Sequence, residues 1–142
     1  MNESPVTRNN RTNIVKPLKD HRSDKSYKIL VLDDEEDICL LLSSILIKLG
    51  HRVVCSHSLK EGRSNFTSFV PDLMFLDINL PDGNGLSLAG AGSVRGAILV
   101  TGGEDEEQRR ASLAMGWNRC LTKPVAGAEV IAAIKQILVS DP

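Results

Sequence analysis

Short apolar runs that stop at a charged or hydroxyl residue, each leading into a segment of helical texture, constrain this chain most. Lys28-Ile29-Leu30-Val31-Leu32 ends at Asp33 and Asp34, and Leu73-Met74-Phe75-Leu76 ends at Asp77. Ala97-Ile98-Leu99-Val100 ends at Thr101, and the brief run Cys120-Leu121-Thr122 ends at Lys123. Val53-Val54-Cys55 is one more run of the same kind. Unbroken apolar runs of this length read as strands covered on both faces. Between the first two, Ile38, Leu41, Leu42, Ile45, Leu46 and Leu49 recur at helical spacing, after the acids Glu35, Glu36 and Asp37 and before Gly50. Leu59 to Phe69 is a weaker helix closed by Pro71, Glu104 to Met115 a polar-rich one, and Glu129 to Leu138 an apolar one.

Strand and helix thus alternate five times, which builds a parallel sheet with helices on both faces. In such sheets the working site lies beyond the carboxyl ends of the strands. That rule alone selects Asp33, Asp34, Asp77, Thr101 and Lys123. The third connection departs from the pattern. Pro81-Asp82-Gly83-Asn84-Gly85 is turn chemistry, and Gly90, Gly92 and Gly96 follow. Interior glycine costs a helix up to about 1 kcal/mol each, so the third helix is expected to be short and irregular.

Composition narrows the functional classes. With 142 residues, 42% of them hydrophobic, the chain suffices for one core and a tail. Residues 1–26 are polar and basic, the first 27 positions carrying +3 and the remainder −4; the reading is a mobile tail followed by one domain over residues 27–142. A net charge of −1 argues against nucleic-acid binding by bulk electrostatics. The longest greasy stretch, Ile38 to Ile47, is broken by Ser43 and Ser44 and falls short of the ~20 apolar residues a membrane span needs. The polar start is no secretory signal. Cys39, Cys55 and Cys120 form no CxxC pair, which fits a reduced, cytoplasmic protein with the three thiols as small core side chains. His21, His51 and His57 have no metal-like grouping.

Three carboxylates at one rim are costly. Two like charges ~4 Å apart repel by about 4 kcal/mol at an effective dielectric near 20. A divalent ion with a preference for oxygen ligands, Mg²⁺, relieves this, and Lys123 adds a further positive charge. A pocket neutralised in this way suits a phosphoryl group, with one carboxylate as nucleophile. Taken alone, Asp33 and Asp34 equally suit helix-capping acids.

The segments KILVLDDEEDI, LMFLDINLPDGNG, ILVTGG and CLTKP, in this order and at strand ends, resemble the signature segments of bacterial two-component response-regulator receiver domains. The resemblance spans roughly residues 27–140. It implies a flavodoxin-like (βα)5 fold, a doubly wound five-stranded parallel sheet of order 2-1-3-4-5. It implies Asp77 as the phosphoacceptor, and Asp33, Asp34, Asp77 and the Asn79 backbone carbonyl as the Mg²⁺ set. Lys123 would contact the phosphoryl oxygen, Thr101 would switch its hydroxyl onto the phosphoryl group, and Pro124 would be a cis proline. The implied donor is a histidine kinase or a histidine phosphotransfer protein, and the implied output is contact with a further protein, with no direct nucleic-acid or membrane role. Such a domain is a switch rather than a conventional enzyme. With three residues after Val139, the reading expects no attached output domain.

Three departures qualify the resemblance. Cys120 stands three before Lys123, where receivers usually carry Tyr or Phe. The separation of Asp77 from Thr101 is about one helical turn shorter than the family commonly shows. Trp117 stands at a usually small position, as an interface anchor or as packing. The first two, Cys120 and the shortened third helix, favour as an alternative a pseudo-receiver: an interaction module with altered or phosphate-independent switching. A Mg²⁺-dependent aspartyl phosphatase is a weaker rival, because Asn79 stands where such enzymes place a second aspartate.

Overall fold

A computed structural model describes residues 25–88, 94–102, 106, 110 and 119–139. Strand β1 (Lys28–Leu32) is followed by helix α1 (Glu36–Lys48), β2 (Arg52–Ser56), α2 (Leu59–Phe69) and β3 (Leu73–Leu76). Strands β4 (Gly96–Thr101) and β5 (Arg119–Thr122) lead to α3 (Gly127–Val139). The five strands form one sheet in the order β2-β1-β3-β4-β5, with every pairing parallel. This is the doubly wound flavodoxin-like order expected from the sequence.

The alternation of side chains along each strand divides the core in two. Ile29, Val31, Leu73, Phe75, Ile98, Val100 and Leu121 face Cys39, Leu42 and Leu46 of α1 and Val130, Ala133, Ile134 and Ile137 of α3. Leu30, Leu32, Met74, Leu76 and Ala97 face the other way, onto Leu59 of α2 and onto Leu80 and Leu88. Both faces of β1 and β3 are therefore buried, which is why those strands read as continuous apolar runs.

Local signals set the helix ends. After α1, Gly50 takes φ +101°, a conformation that costs glycine little. Its N–H bonds the Ile47 carbonyl and the His51 N–H bonds that of Leu46, closing the helix in a Schellman pattern. At the start of α2 the Ser58 hydroxyl accepts from the Glu61 N–H at 3.1 Å, and the Glu61 carboxylate reaches back to the His57 N–H at 2.8 Å. Asp82 adds a cap from outside the helix: its two carboxylate oxygens accept from the N–H groups of Leu59 and Lys60 at 2.7 and 2.9 Å. The turn former of the sequence reading is thus also the anion at a helix start.

The third connection contains a short antiparallel pairing of Asn79–Leu80 with Gly83–Asn84, then a single 3-10 turn over Gly85–Leu88. Residues 89–93 lie outside the described residues, as do residues 1–24 of the expected basic tail and Trp117. Of the expected helix from Glu104 to Met115, Glu106 and Arg110 are described and helical.

One buried group gives the fold a pH dependence. His51 is 4% exposed. Its Nδ1 accepts from the Tyr27 N–H at 3.1 Å, and its Nε2 is buried without a hydrogen-bond partner. Burial lowers the imidazole pKa below its ordinary 6.5. The unfolded chain then binds a proton more readily than the folded one, so stability is expected to fall as pH drops below about 6.5. Urea unfolding between pH 7 and 5 should show a shallower decline in His51→Gln, which keeps an acceptor for Tyr27, than in the parent protein.

Candidate functional site

The parallel register dictates the centre of the site. Leu32 on β1 pairs with Leu76 on β3, so the next residues, Asp33 and Asp77, stand side by side one strand spacing apart, about 4.8 Å. The ladder bonds continue into them: the Asp77 N–H bonds the Leu32 carbonyl, and the Asp33 N–H bonds that of Ser56. Asp34 follows in the β1–α1 loop and is exposed, whereas Asp33 and Asp77 are buried. One carboxylate oxygen from each of Asp33, Asp34 and Asp77 lies within 4.8 Å of the others. No other cluster of three such ligating residues occurs among the described residues.

Strands β4 and β5 bring in the opposite charge. Thr101 pairs with Thr122 at their ends, and the Lys123 N–H bonds the Thr101 carbonyl at 2.8 Å. Thr101 is buried at this rim. The Lys123 ammonium lies 3.1 Å from Asp33 Oδ2, 3.3 Å from Asp77 Oδ2 and 2.9 Å from Glu35 Oε1. The peptide bond from Lys123 to Pro124 is cis. Burial works against the ammonium, but the carboxylates of Glu35 and Asp33 outweigh it and raise the Lys123 pKa.

The acids pay for their enclosure. Burial, then the charge of Asp33, pushes the Asp77 carboxyl up to about 6, against the pull of Lys123 and of a hydrogen bond from the Asn79 N–H. Burial also raises Asp33, opposed by the Glu35 N–H, which donates to Oδ1 at 2.9 Å, and by Lys123. Asp33 Oδ2 is buried and, although near Lys123, lies outside hydrogen-bond geometry. A buried oxygen with spare acceptor capacity beside two further carboxylates is the donor set that a small hard cation takes.

Two residues outside the sequence-derived set shape the pocket. Glu35 stands as an acid at the start of α1 but makes no side-chain cap there; its carboxylate goes to Lys123 instead. Its only sequence signal is adjacency to Asp33 and Asp34. Gly85 packs against the Asp77 backbone so closely that a Cβ there would collide with the Asp77 carbonyl oxygen. Glycine is therefore what lets the third connection close over the acid. Asn79, exposed, follows Asp77 by two residues on this same connection. Cys120 lies in β5 opposite Leu99, half-buried.

Comparison with known proteins is consistent across sequence and structure. The family profile described as "Response regulator receiver domain" matches residues 29–135. A 14.6 kDa protein of Leptolyngbya boryana is 34% identical over 120 residues, with 80% of this chain and 92% of that protein covered. The TorCAD operon transcriptional regulatory protein TorR of Escherichia coli is 36% identical over 115 residues. That alignment covers 79% of this chain and 50% of TorR, so the chain spans about half the length of this regulator. Among solved structures, a CheY-like receiver domain protein from Methanospirillum hungatei superposes with a TM-score of 0.72 at 28% identity, covering 82% of this chain and 96% of that one. A two-component response regulator from Clostridium difficile gives 0.73 at 26% identity, covering 80% and 97%.

The raised Asp77 carboxyl yields a stability prediction. The folded protein holds this proton more tightly than the unfolded chain, so the cost of ionisation builds as pH rises from about 4 to about 6 and is complete at pH 7. Without divalent cation, Asp77→Asn should be more stable than the parent at pH 7, by on the order of 1–3 kcal/mol, with the gain gone near pH 4. Thermal unfolding of both proteins at the two pH values checks this; a variant no more stable at pH 7 contradicts it.

Proposed function

Because the chain belongs to the response regulator receiver domain family, we propose that it is a phosphoryl-accepting switch with Asp77 as the acceptor. The observation that carries the reading is the meeting of Asp33, Asp34 and Asp77 with the Lys123 ammonium at the carboxyl ends of the strands. A carboxylate oxygen of Asp77 attacks the phosphorus of a phosphohistidine supplied by a histidine kinase or phosphotransfer protein. The O–P bond of an acyl phosphate forms as the N–P bond breaks, and the imidazole leaves with the electron pair. Lys123 balances charge on the incoming oxygens and keeps Asp77 oriented, while Thr101 offers a hydroxyl at the rim.

Asp33, Asp34, Asp77 and the Asn79 carbonyl would hold Mg²⁺, and the unsatisfied Asp33 oxygen supports that fit. Bound there, the ion supplies charge neutralisation for the carboxylates and the phosphoryl oxygens. The reading assigns residues 27–142 to the receiver and residues 1–26 to a basic leader, in a cytoplasmic protein. No helix among the described residues is long and apolar enough to cross a membrane.

Signalling runs through protein contacts by a shift between two states. The outer face of α1 carries Leu40, Leu41 and Ile47, each exposed, which suits a protein partner. Cys120 favours one alternative: a thiol lacks the bulk of an aromatic lever next to Thr101, so a pseudo-receiver that signals without phosphate is the second reading.

Acetyl phosphate with Mg²⁺ separates the two. One added phosphoryl group by intact mass, absent from Asp77→Asn, is the expected result. Labelling that persists in the variant would remove Asp77 as acceptor, and absence of labelling in the parent protein would favour the pseudo-receiver.

A further inference from the structure

Two thiols meet beneath the acid rim, outside the phosphoryl chemistry. Cys39 lies on the inner face of α1 and is 2% exposed; Cys55 lies on β2 and is half-buried. They are 16 residues apart in sequence, but α1 packs onto β2. Cys55 Sγ lies 3.7 Å from the Cys39 carbonyl oxygen and 2.9 Å from the Ser43 hydroxyl. Cys39 Sγ donates to the Asp33 carbonyl oxygen at 3.3 Å.

We propose that Cys39 and Cys55 form an oxidisable pair that closes into a disulfide when a hydroperoxide reaches the Cys55 sulfur. The two positions divide the labour. The neighbouring Cys39 thiol, then the Ser43 hydroxyl at 2.9 Å, favour the Cys55 thiolate against its burial, lowering its pKa to about 6. Cys39 is buried, with its S–H directed to the Asp33 carbonyl. The less buried Cys55 is thus the nucleophile and the enclosed Cys39 the resolving thiol.

In the first step the Cys55 thiolate attacks the terminal peroxide oxygen. The O–O bond breaks, an S–O bond forms, and the alkoxide or hydroxide released takes a proton from water; sulfur is oxidised by two electrons and the peroxide reduced. In the second step the Cys39 sulfur attacks the sulfenic sulfur. The S–S bond forms, the S–O bond breaks, and the hydroxide leaves as water with the Cys39 proton. The thiol hydrogen that reaches the Asp33 carbonyl is consumed, so oxidation alters the support of one acid of the rim.

Cys120 is an internal control. It lies on β5, four strand spacings from β2 in the sheet order, about 19 Å away, too far for a disulfide with Cys55. The test treats the reduced full chain with hydrogen peroxide, denatures it, alkylates remaining thiols and maps the peptides. The expected result is loss of two hydrogens, alkylation at Cys120 alone, a Cys39–Cys55 linked peptide, and reversal by dithiothreitol. Cys39→Ala should instead stop at a Cys55 sulfenic acid captured by dimedone. If that variant does not fold, the parent protein's peptide map decides alone. Full alkylation of all three cysteines after peroxide, a link through Cys120, or oxygen added to Cys55 without a link in the parent protein would overturn the proposal.

Discussion

The Lys123 ammonium is the interaction on which the rest of the rim depends. Parallel pairing of β1 with β3 forces Asp33 and Asp77 into adjacent, buried positions, and neither backbone ladder has room to move them apart. Their mutual repulsion has to be met by positive charge. Lys123 supplies it from the far side of the sheet, held in place by its own N–H on the Thr101 carbonyl at 2.8 Å. The site is therefore a joint product of four strand ends, and four carboxylates, those of Asp33, Asp34, Glu35 and Asp77, share a single ammonium there. Burial raises the pKa of both Asp33 and Asp77, the charge of Asp33 adds to it at Asp77, and one Asp33 oxygen stays unsatisfied, which makes a divalent cation a natural complement.

Most of this architecture is legible from the chain itself. The doubly buried strands announce themselves as KILVL and LMFL because both faces need apolar side chains, and the strand-end rule then selects Asp33, Asp77, Thr101 and Lys123 without further information. Helix boundaries are legible where the chemistry is local, as at Gly50 and Ser58. What stays hidden is long-range. The carboxylate of Glu35 looks like a helix-start charge but turns to Lys123, 88 residues away. Asp82 looks like a turn former and also caps α2 from 22 or 23 residues away. Neither signal exists in a sequence window, because each depends on where a second element arrives. The closeness of Cys39 and Cys55 is hidden for the same reason: helical and strand periodicity say which face each thiol occupies, but not that they share it at one level.

Glycine-rich sequence in the third connection gives only half of its meaning in advance. The sequence pattern argues against a regular helix, and among the described residues a two-residue ladder and one 3-10 turn follow β3. The positive role of Gly85, which admits the backbone against Asp77, becomes visible only once the chain is folded. The same residues that weaken a helix thus bring the connection over the acid. Cys120, in contrast, departs from the family pattern without disturbing the fold, since its strand position next to Leu99 is kept.

The account stands on the carboxylates acting together as a cation site. Isothermal titration of the full chain with Mg²⁺ measures this most directly. One binding site is predicted, weakened about tenfold or more when either Asp33→Asn or Asp34→Asn removes a single charge, a loss of at least about 1.4 kcal/mol. Unchanged affinity in both variants, or no binding by the parent protein, would contradict it.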